Sequence, residues 1–204
     1  MFEYIKGTVA HLYPGYIVID NQGIGYKILM ANPFRYTDQI SQETLIYVYQ
    51  DVKQDSMQLF GFKTMQEKNL FLKLINVSGI GPKSALAILA NDNHKGFVQA
   101  IEDNNVTFLT KFPGVGKKTA QQIVLDLKGK LSEFEGTDVE GLEGQQAFDM
   151  PEGSNQSFEE AIEALLALGY TKKDVARVRK QFDDRKKLST DAYIREALSY
   201  LMKK

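Results

Sequence analysis

Through residues 1–62, apolar and polar positions alternate with a period of two. The runs Glu3–Leu12, Tyr16–Asp20, Gly25–Met30, Leu45–Val52 and Met57–Phe62 are rich in Ile, Val, Tyr and Phe, with Pro14-Gly15 and Gln22-Gly23 as turns between them. Five short strands at this length predict a small closed barrel, for which the OB-fold is the usual solution. At Thr64 the period changes. Thr64-Met65-Gln66-Glu67 has the form of a capping box ahead of Leu70, Phe71, Leu74 and Ile75, a helical stripe. Further helices are expected over Ser84–Ala90, Lys95–Ile101, Val106–Lys111 and Lys118–Leu131.

Periodicity is lost over 132–156, where Gly, Glu, Asp and Gln accumulate, and this composition predicts a flexible acidic linker. A second capping box, Ser157-Phe158-Glu159-Glu160, then opens a helix marked by Phe158, Ala161, Ile162, Leu165 and Leu166. Val175, Val178 and Phe182 mark another, and Ile194, Ala197, Leu198 and Leu201 a third, with Leu168-Gly169-Tyr170 as the first turn. The expected class is therefore α+β multidomain. It comprises a barrel over 1–63, a helical unit over 64–131, the linker 132–156, and a small UBA-like three-helix bundle over 157–204. A bundle this small is marginal alone and is expected to dock a partner. Leu168 and Tyr170 at its first turn, with Leu198, Leu201 and Met202 on its last helix, are candidates for that surface or for the bundle's own core.

Within the helical unit one pattern occurs twice. Val77-Ser78-Gly79-Ile80-Gly81-Pro82-Lys83-Ser84-Ala85 returns thirty-five residues later as Phe112-Pro113-Gly114-Val115-Gly116-Lys117-Lys118-Thr119-Ala120. Each copy is an apolar run, a Gly-apolar-Gly turn, and a helix opened by basic or hydroxylated residues. Glycines permit a positive φ and a close backbone approach. The helix start presents unpaired N–H groups at the positive end of the dipole, which makes an anion cradle. The candidate phosphate-binding residues are Gly79, Ile80, Gly81, Lys83 and Ser84, then Gly114, Val115, Gly116, Lys117, Lys118 and Thr119. This pattern resembles the helix-hairpin-helix family, which holds DNA by its backbone. A P-loop is excluded, because Lys111 stands where the first Gly is required and Lys118 where Ser or Thr is required.

Charge sharpens this picture. The formal net charge is −1, but residues 65–131 carry nine lysines against five acids, whereas Leu131–Thr171 contains no Lys or Arg. Lys83, Lys117 and Lys118 sit beside the hairpins. The chain has no cysteine, and His11 and His94 lack metal-ligand spacing, so neither a thiolate nor a zinc site is expected. No cofactor is expected either. With no signal peptide or membrane-length apolar run in the sequence, a cytoplasmic location is expected. Tyr4, Tyr13, Tyr16, Tyr26, Tyr36, Tyr47 and Tyr49 are either barrel core and rim or a base-stacking surface.

The succession of barrel, double hairpin, acidic linker and C-terminal bundle resembles the RuvA family of Holliday junction-binding subunits over the whole chain. The residues that carry the resemblance are Gly61-Phe62, Gly79 to Lys83, Pro113 to Ala120, and Ala167-Leu168-Gly169-Tyr170. It implies a non-catalytic homotetramer, in places an octamer, whose basic face holds a four-way DNA junction open. It also implies a RuvB-like hexameric ATPase contacted by the C-terminal domain, and a RuvC-like resolvase in the complex. An acidic pin between the last two barrel strands is implied at Lys53-Gln54-Asp55-Ser56. Here Asp55 is kept and Gln54 takes the usual second acid, with Asp51 as a possible supplement. Two other classes compete, an enzyme on the same DNA grip and a single-strand binder. A glycosylase would need a carboxylate after the second hairpin, where Asp126 lies among apolar neighbours; a nuclease would need clustered acids for Mg²⁺. A single-strand binder would need a basic barrel groove, yet residues 1–62 hold only Lys6, Lys27, Arg35 and Lys53.

Overall fold

The computed structural model describes residues 1–204 apart from 92–93, 132–133, 135–153, 183–187 and 204. Strands β1 (Tyr4–Tyr13), β2 (Tyr16–Asn21), β3 (Ile24–Met30), β4 (Glu43–Val52) and β5 (Met57–Phe62) close a barrel in the order β1-β2-β3-β5-β4. All neighbours are antiparallel except β3 and β5, which is the OB-fold arrangement expected from the alternating pattern. Ile5, Val9, Ile17, Ile19, Ile28, Ile46 and Val48 point inward and are buried. Each contributes about 1.5–3 kcal/mol by leaving water.

Between β3 and β4 lies a 3₁₀ segment, Pro33–Gln39, which the alternation does not announce. It joins two cores: Tyr36 packs inside the barrel and Phe34 packs among the helices. The barrel meets α1 (Met65–Ile75) through an aromatic cluster. The rings of Phe62, Tyr49 and Phe60 lie 4.8, 5.5 and 5.6 Å from Phe71.

Thr64 caps α1 by accepting from the Glu67 N–H at 3.2 Å. The reciprocal bond of a capping box is not made to Thr64. Glu67 Oε2 instead accepts from the Lys63 N–H at 2.8 Å, while Oε1 pairs with Arg35 at 2.9 Å. Glu67 therefore ties the barrel to α1. Lys68 makes a second tie, its buried ammonium lying 2.7 Å from the Glu3 carboxylate.

Among the described residues the helices that follow are α2 (Pro82–Leu89), α3 (His94–Glu102), α4 (Val106–Leu109), α5 (Lys117–Leu127), α6 (Ser154–Ala167), α7 (Lys172–Gln181) and α8 (Thr190–Lys203). Helix α5 ends four residues before the expected Leu131. Lys128 leaves helical geometry at ψ 130°, and Gly129 adopts φ +72° with its N–H donating to Glu102 at 2.8 Å. The expected box at Ser157 is not a helix start, because α6 already begins at Ser154. A complete capping box occurs at Thr171–Asp174 instead, where each residue's side chain accepts from the other's backbone N–H. Partial burial works against the Asp174 anion, but hydrogen bonds from Thr171 and Arg177 outweigh it and hold the carboxyl below its ordinary value.

Most of the expected linker 132–156 lies outside the described residues. Phe134 departs from the linker expectation: it is buried, donates to the Leu131 carbonyl at 2.9 Å, and lies 5.9 Å from the Lys73 ammonium. An apolar ring in an acidic stretch gains more from the core than from water. Helices α6, α7 and α8 pack on one another, and their core is continuous with that of α1–α5.

Candidate nucleic-acid interface

The two Gly-apolar-Gly turns link α1 to α2 and α4 to α5, and they are built alike. In the first, Val77 donates to Leu74 O at 3.0 Å and Ile80 to Val77 O at 3.1 Å. In the second, Phe112 donates to Leu109 O at 3.3 Å and Val115 to Phe112 O at 3.1 Å. The central apolar residues are anchors: Ile80 and Val115 are 6% and 5% exposed. Their side chains lie in the core and their N–H groups donate back into the turn, so these two candidates anchor the hairpin.

The glycines of each pair differ. Gly79 and Gly114 have φ +90° and +75°, a region that only glycine enters without strain. Gly81 and Gly116 are the N-caps of α2 and α5, with φ −92° and −82°, which any residue adopts. A Cβ at either would meet nothing within 4 Å. The second glycine of each turn therefore keeps open the space directly ahead of a helix N-terminus.

The hairpins also key into each other. A Cβ on Gly79 would lie 3.4 Å from the Thr119 hydroxyl, and one on Gly114 would overlap the Ser84 hydroxyl. Residues 79 and 84 stand at the same places in the first copy as 114 and 119 in the second, so one contact is made twice about a local two-fold. Exposure repeats as well, with Gly79, Gly81 and Lys83 open like Gly114, Gly116 and Lys118.

Each helix start leaves N–H groups ahead of the hydrogen-bond ladder. In α2 the first bond runs from Ala85 to Gly81 at 3.0 Å, leaving Gly81, Lys83 and Ser84 as donors, since Pro82 has none. In α5 the first bond runs from Ala120 to Gly116 at 2.8 Å, leaving Gly116, Lys117, Lys118 and Thr119. Exposed ammonium groups flank both sets: Lys83 in the first, Lys117 and Lys118 in the second. These are two positively biased, uncovered cradles held in fixed relation.

The remaining candidates fall elsewhere. Asp55 and Gln54 are exposed at the tip of the β4–β5 hairpin, which is closed by Lys53 donating to Ser56 O at 2.8 Å. Asp51 stands at the end of β4, where its carboxylate pairs with Lys53 at 2.8 Å. The hydrogen bond to Asp51 raises the Lys53 pKa. Leu168, Tyr170, Leu198, Leu201 and Met202 are all buried, at 5, 6, 2, 9 and 7% exposure. They stand in the apolar core and form no open docking surface here. Burial pushes the Tyr170 phenol well above its ordinary pKa.

Among the tyrosines, Tyr36 is core, and Tyr26, Tyr47 and Tyr49 pack against the two cores; Tyr4 and Tyr13 are exposed. The barrel cations are largely engaged: Lys6 by Glu43, Lys53 by Asp51 and Arg35 by Glu67. No continuous basic groove forms on the barrel. Asp126 accepts from Gln122 at 2.9 Å, an ordinary helical pairing one turn away. Among the described residues no group of three acids, histidines or cysteines is placed to hold a metal, and no helix is long and apolar enough to cross a membrane.

Sequence reasoning missed Lys111 and Pro113 as contact points. The Lys111 ammonium donates to Met202 O at 2.6 Å, and Gly169 lies against Pro113. Partners this far apart along the chain leave no local signal.

Fold and site together define a tandem helix-hairpin-helix protein carried on an OB-fold barrel, with a further helical module at its C-terminus. Residues 1–61 match the RuvA N-terminal domain, 71–129 the SAM-like helix-hairpin-helix tandem, and 156–202 the RuvA C-terminal domain. A protein of Limosilactobacillus reuteri is 50% identical over 201 residues, covering 98% of this chain and all of its own. Proteins of Leuconostoc mesenteroides and Bacillus velezensis are 52% and 45% identical, each over the full length of both chains. All three bear the name Holliday junction branch migration complex subunit RuvA. The chain belongs to the RuvA family.

Proposed function

We propose that this chain is the DNA-binding, non-catalytic subunit of a branch-migration complex, gripping four-way junctions by their phosphates. The observation that carries this reading is the pair of uncovered helix N-termini set beside each other, with Gly79 facing Thr119 and Gly114 facing Ser84. Gly81, Lys83 and Ser84 take one phosphate group, and Gly116, Lys117, Lys118 and Thr119 another. Backbone amides aimed at phosphate oxygens fix register but read no base, so binding follows shape. Each neutralised phosphate lowers log affinity by roughly 0.9 per log unit of salt.

Four such subunits, as a homotetramer or in an octamer, surround the junction, with Asp55 as a pin carrying one acid. The units are 1–63, 64–131, 132–156 and 157–204, the last meeting a RuvB-like hexameric ATPase. A RuvC-like resolvase acts in the same complex, in the cytoplasm. The relatives' shared name, Holliday junction branch migration complex subunit, supports junction DNA and membership of a complex.

Sedimentation of the full chain with a synthetic four-way junction, and separately with linear duplex, tests the reading. A tetramer that binds the junction far more tightly is expected. Equal affinity for both DNAs would overturn it.

A further inference from the structure

We propose that the C-terminal module is latched onto its own chain when no DNA is bound, and that junction binding at the second hairpin and release of the module are coupled. The coupling rests on the phosphate-gripping role given above. Helix α8 lies as a strap between the barrel and the helical unit, tied at both ends. At its start, Asp191 Oδ1 accepts from the Asn32 side-chain amide at 2.7 Å, where Asn32 is the buried residue that opens the 3₁₀ segment. At its end, Met202 O accepts from the Lys111 ammonium at 2.6 Å. Between them, the first turn of the module abuts both bodies, with Ala167 near Gly15 of the β1–β2 turn and Gly169 facing Pro113.

The second tie reaches the candidate interface itself. Lys111 immediately precedes Phe112, which starts the second hairpin turn, and Pro113 lies inside it. The Met202 carbonyl attracts the ammonium with only the partial negative charge of a helix C-terminus. A phosphate brings a full charge and a stronger acceptor. DNA seated at Gly116–Thr119 therefore competes for Lys111 and crowds the turn against which Gly169 packs. By linkage, a partner that draws the module away also tightens junction binding by the same factor.

The absence of cysteine from the chain makes a clean distance measurement possible. Thr8→Cys and Lys173→Cys, both on exposed positions, carry spin labels on full-length chains diluted into excess unlabelled protein. A single narrow distance is expected without DNA, broadening to longer distances with a four-way junction. Asn32→Ala removes one tie, and Ala167→Arg wedges the module from Gly15; neither touches the hairpins. Both should broaden the distance without DNA and tighten junction binding about fivefold. A broad distribution in the free wild-type chain would overturn the latch, and a narrow one that persists at saturating junction would overturn the coupling. A chain that fails to bind junctions refutes the proposed function instead, while its DNA-free distance still decides whether the latch exists.

Discussion

The two hairpins share a backbone and differ in what they offer outward. Both hold their first glycine at positive φ, bury the central apolar residue, and leave the second glycine open. The first has Pro82 at the opening position of its helix, which presets φ but removes an amide. The second has Lys117 there, followed by Lys118, and so offers one more amide and one more ammonium. It is also the hairpin that the C-terminal module touches. Identical geometry therefore supports unequal grips. The second hairpin should bear more of the binding energy and all of the coupling to the module.

The largest expected effect comes from separating the glycines within that stronger hairpin. Gly114→Val should lose about 1–3 kcal/mol of stability from backbone strain and weaken junction binding roughly a hundredfold. Gly116→Val should keep its helical signal and melt within a few degrees of wild type, yet bind roughly tenfold or more weakly, since its branches fill the space before the amides. Circular dichroism with a binding titration separates the two. Normal junction binding by Gly116→Val would show that DNA does not enter that space.

A smaller effect should follow from the lysines. Lys117→Ala with Lys118→Ala should flatten the salt dependence of log affinity by about 1.8, and Lys83→Ala by about 0.9. Equal slopes for the single and the double variant would abolish the inequality argued above. Sharpening the comparison, Pro82→Lys makes the first hairpin resemble the second. It should gain affinity several-fold while losing less than about 1 kcal/mol of stability as the preset φ is given up.

The smallest effect concerns the contact between the copies. Ser84→Ala and Thr119→Ala should each change stability by less than about 1 kcal/mol, because the opposing glycines leave room on that side. A double-variant cycle that is not additive would show that the two hairpins communicate through it.

Much of this was legible from local pattern. Period-two alternation placed the barrel strands to within a few residues, and the duplicated Gly-apolar-Gly frame located both turns. Helical stripes such as Leu70, Phe71 and Leu74 fell where the core lies, because burial imposes the period that sequence displays. What pattern does not carry is a partner distant along the chain. The capping motif at Thr64 predicts the bond from the Glu67 N–H that forms, but the Glu67 carboxylate turns toward Lys63 and Arg35 instead of Thr64. Ser157 has the spacing of a cap, yet α6 begins three residues earlier, at Ser154. Phe134 sat in a stretch read by composition, and a single ring found the core nonetheless. Within each Gly-x-Gly turn the sequence marks two glycines without distinguishing the one at positive φ from the one that caps the helix. That difference is one of backbone torsion alone.

The contact of Gly79 with Thr119, repeated as Gly114 with Ser84, has the logic of an isologous dimer interface: the same patch meets its own image. Here both protomers are segments of one chain. An interface of that kind restricts only the residues that face inward, and both copies keep a glycine and a small hydroxyl there. Position 82 and its counterpart 117 lie outside that contact, and there the copies carry Pro and Lys ahead of a lysine common to both. Two copies of one motif can thus differ in their hold on the outside world while the halves keep meeting through the same residues.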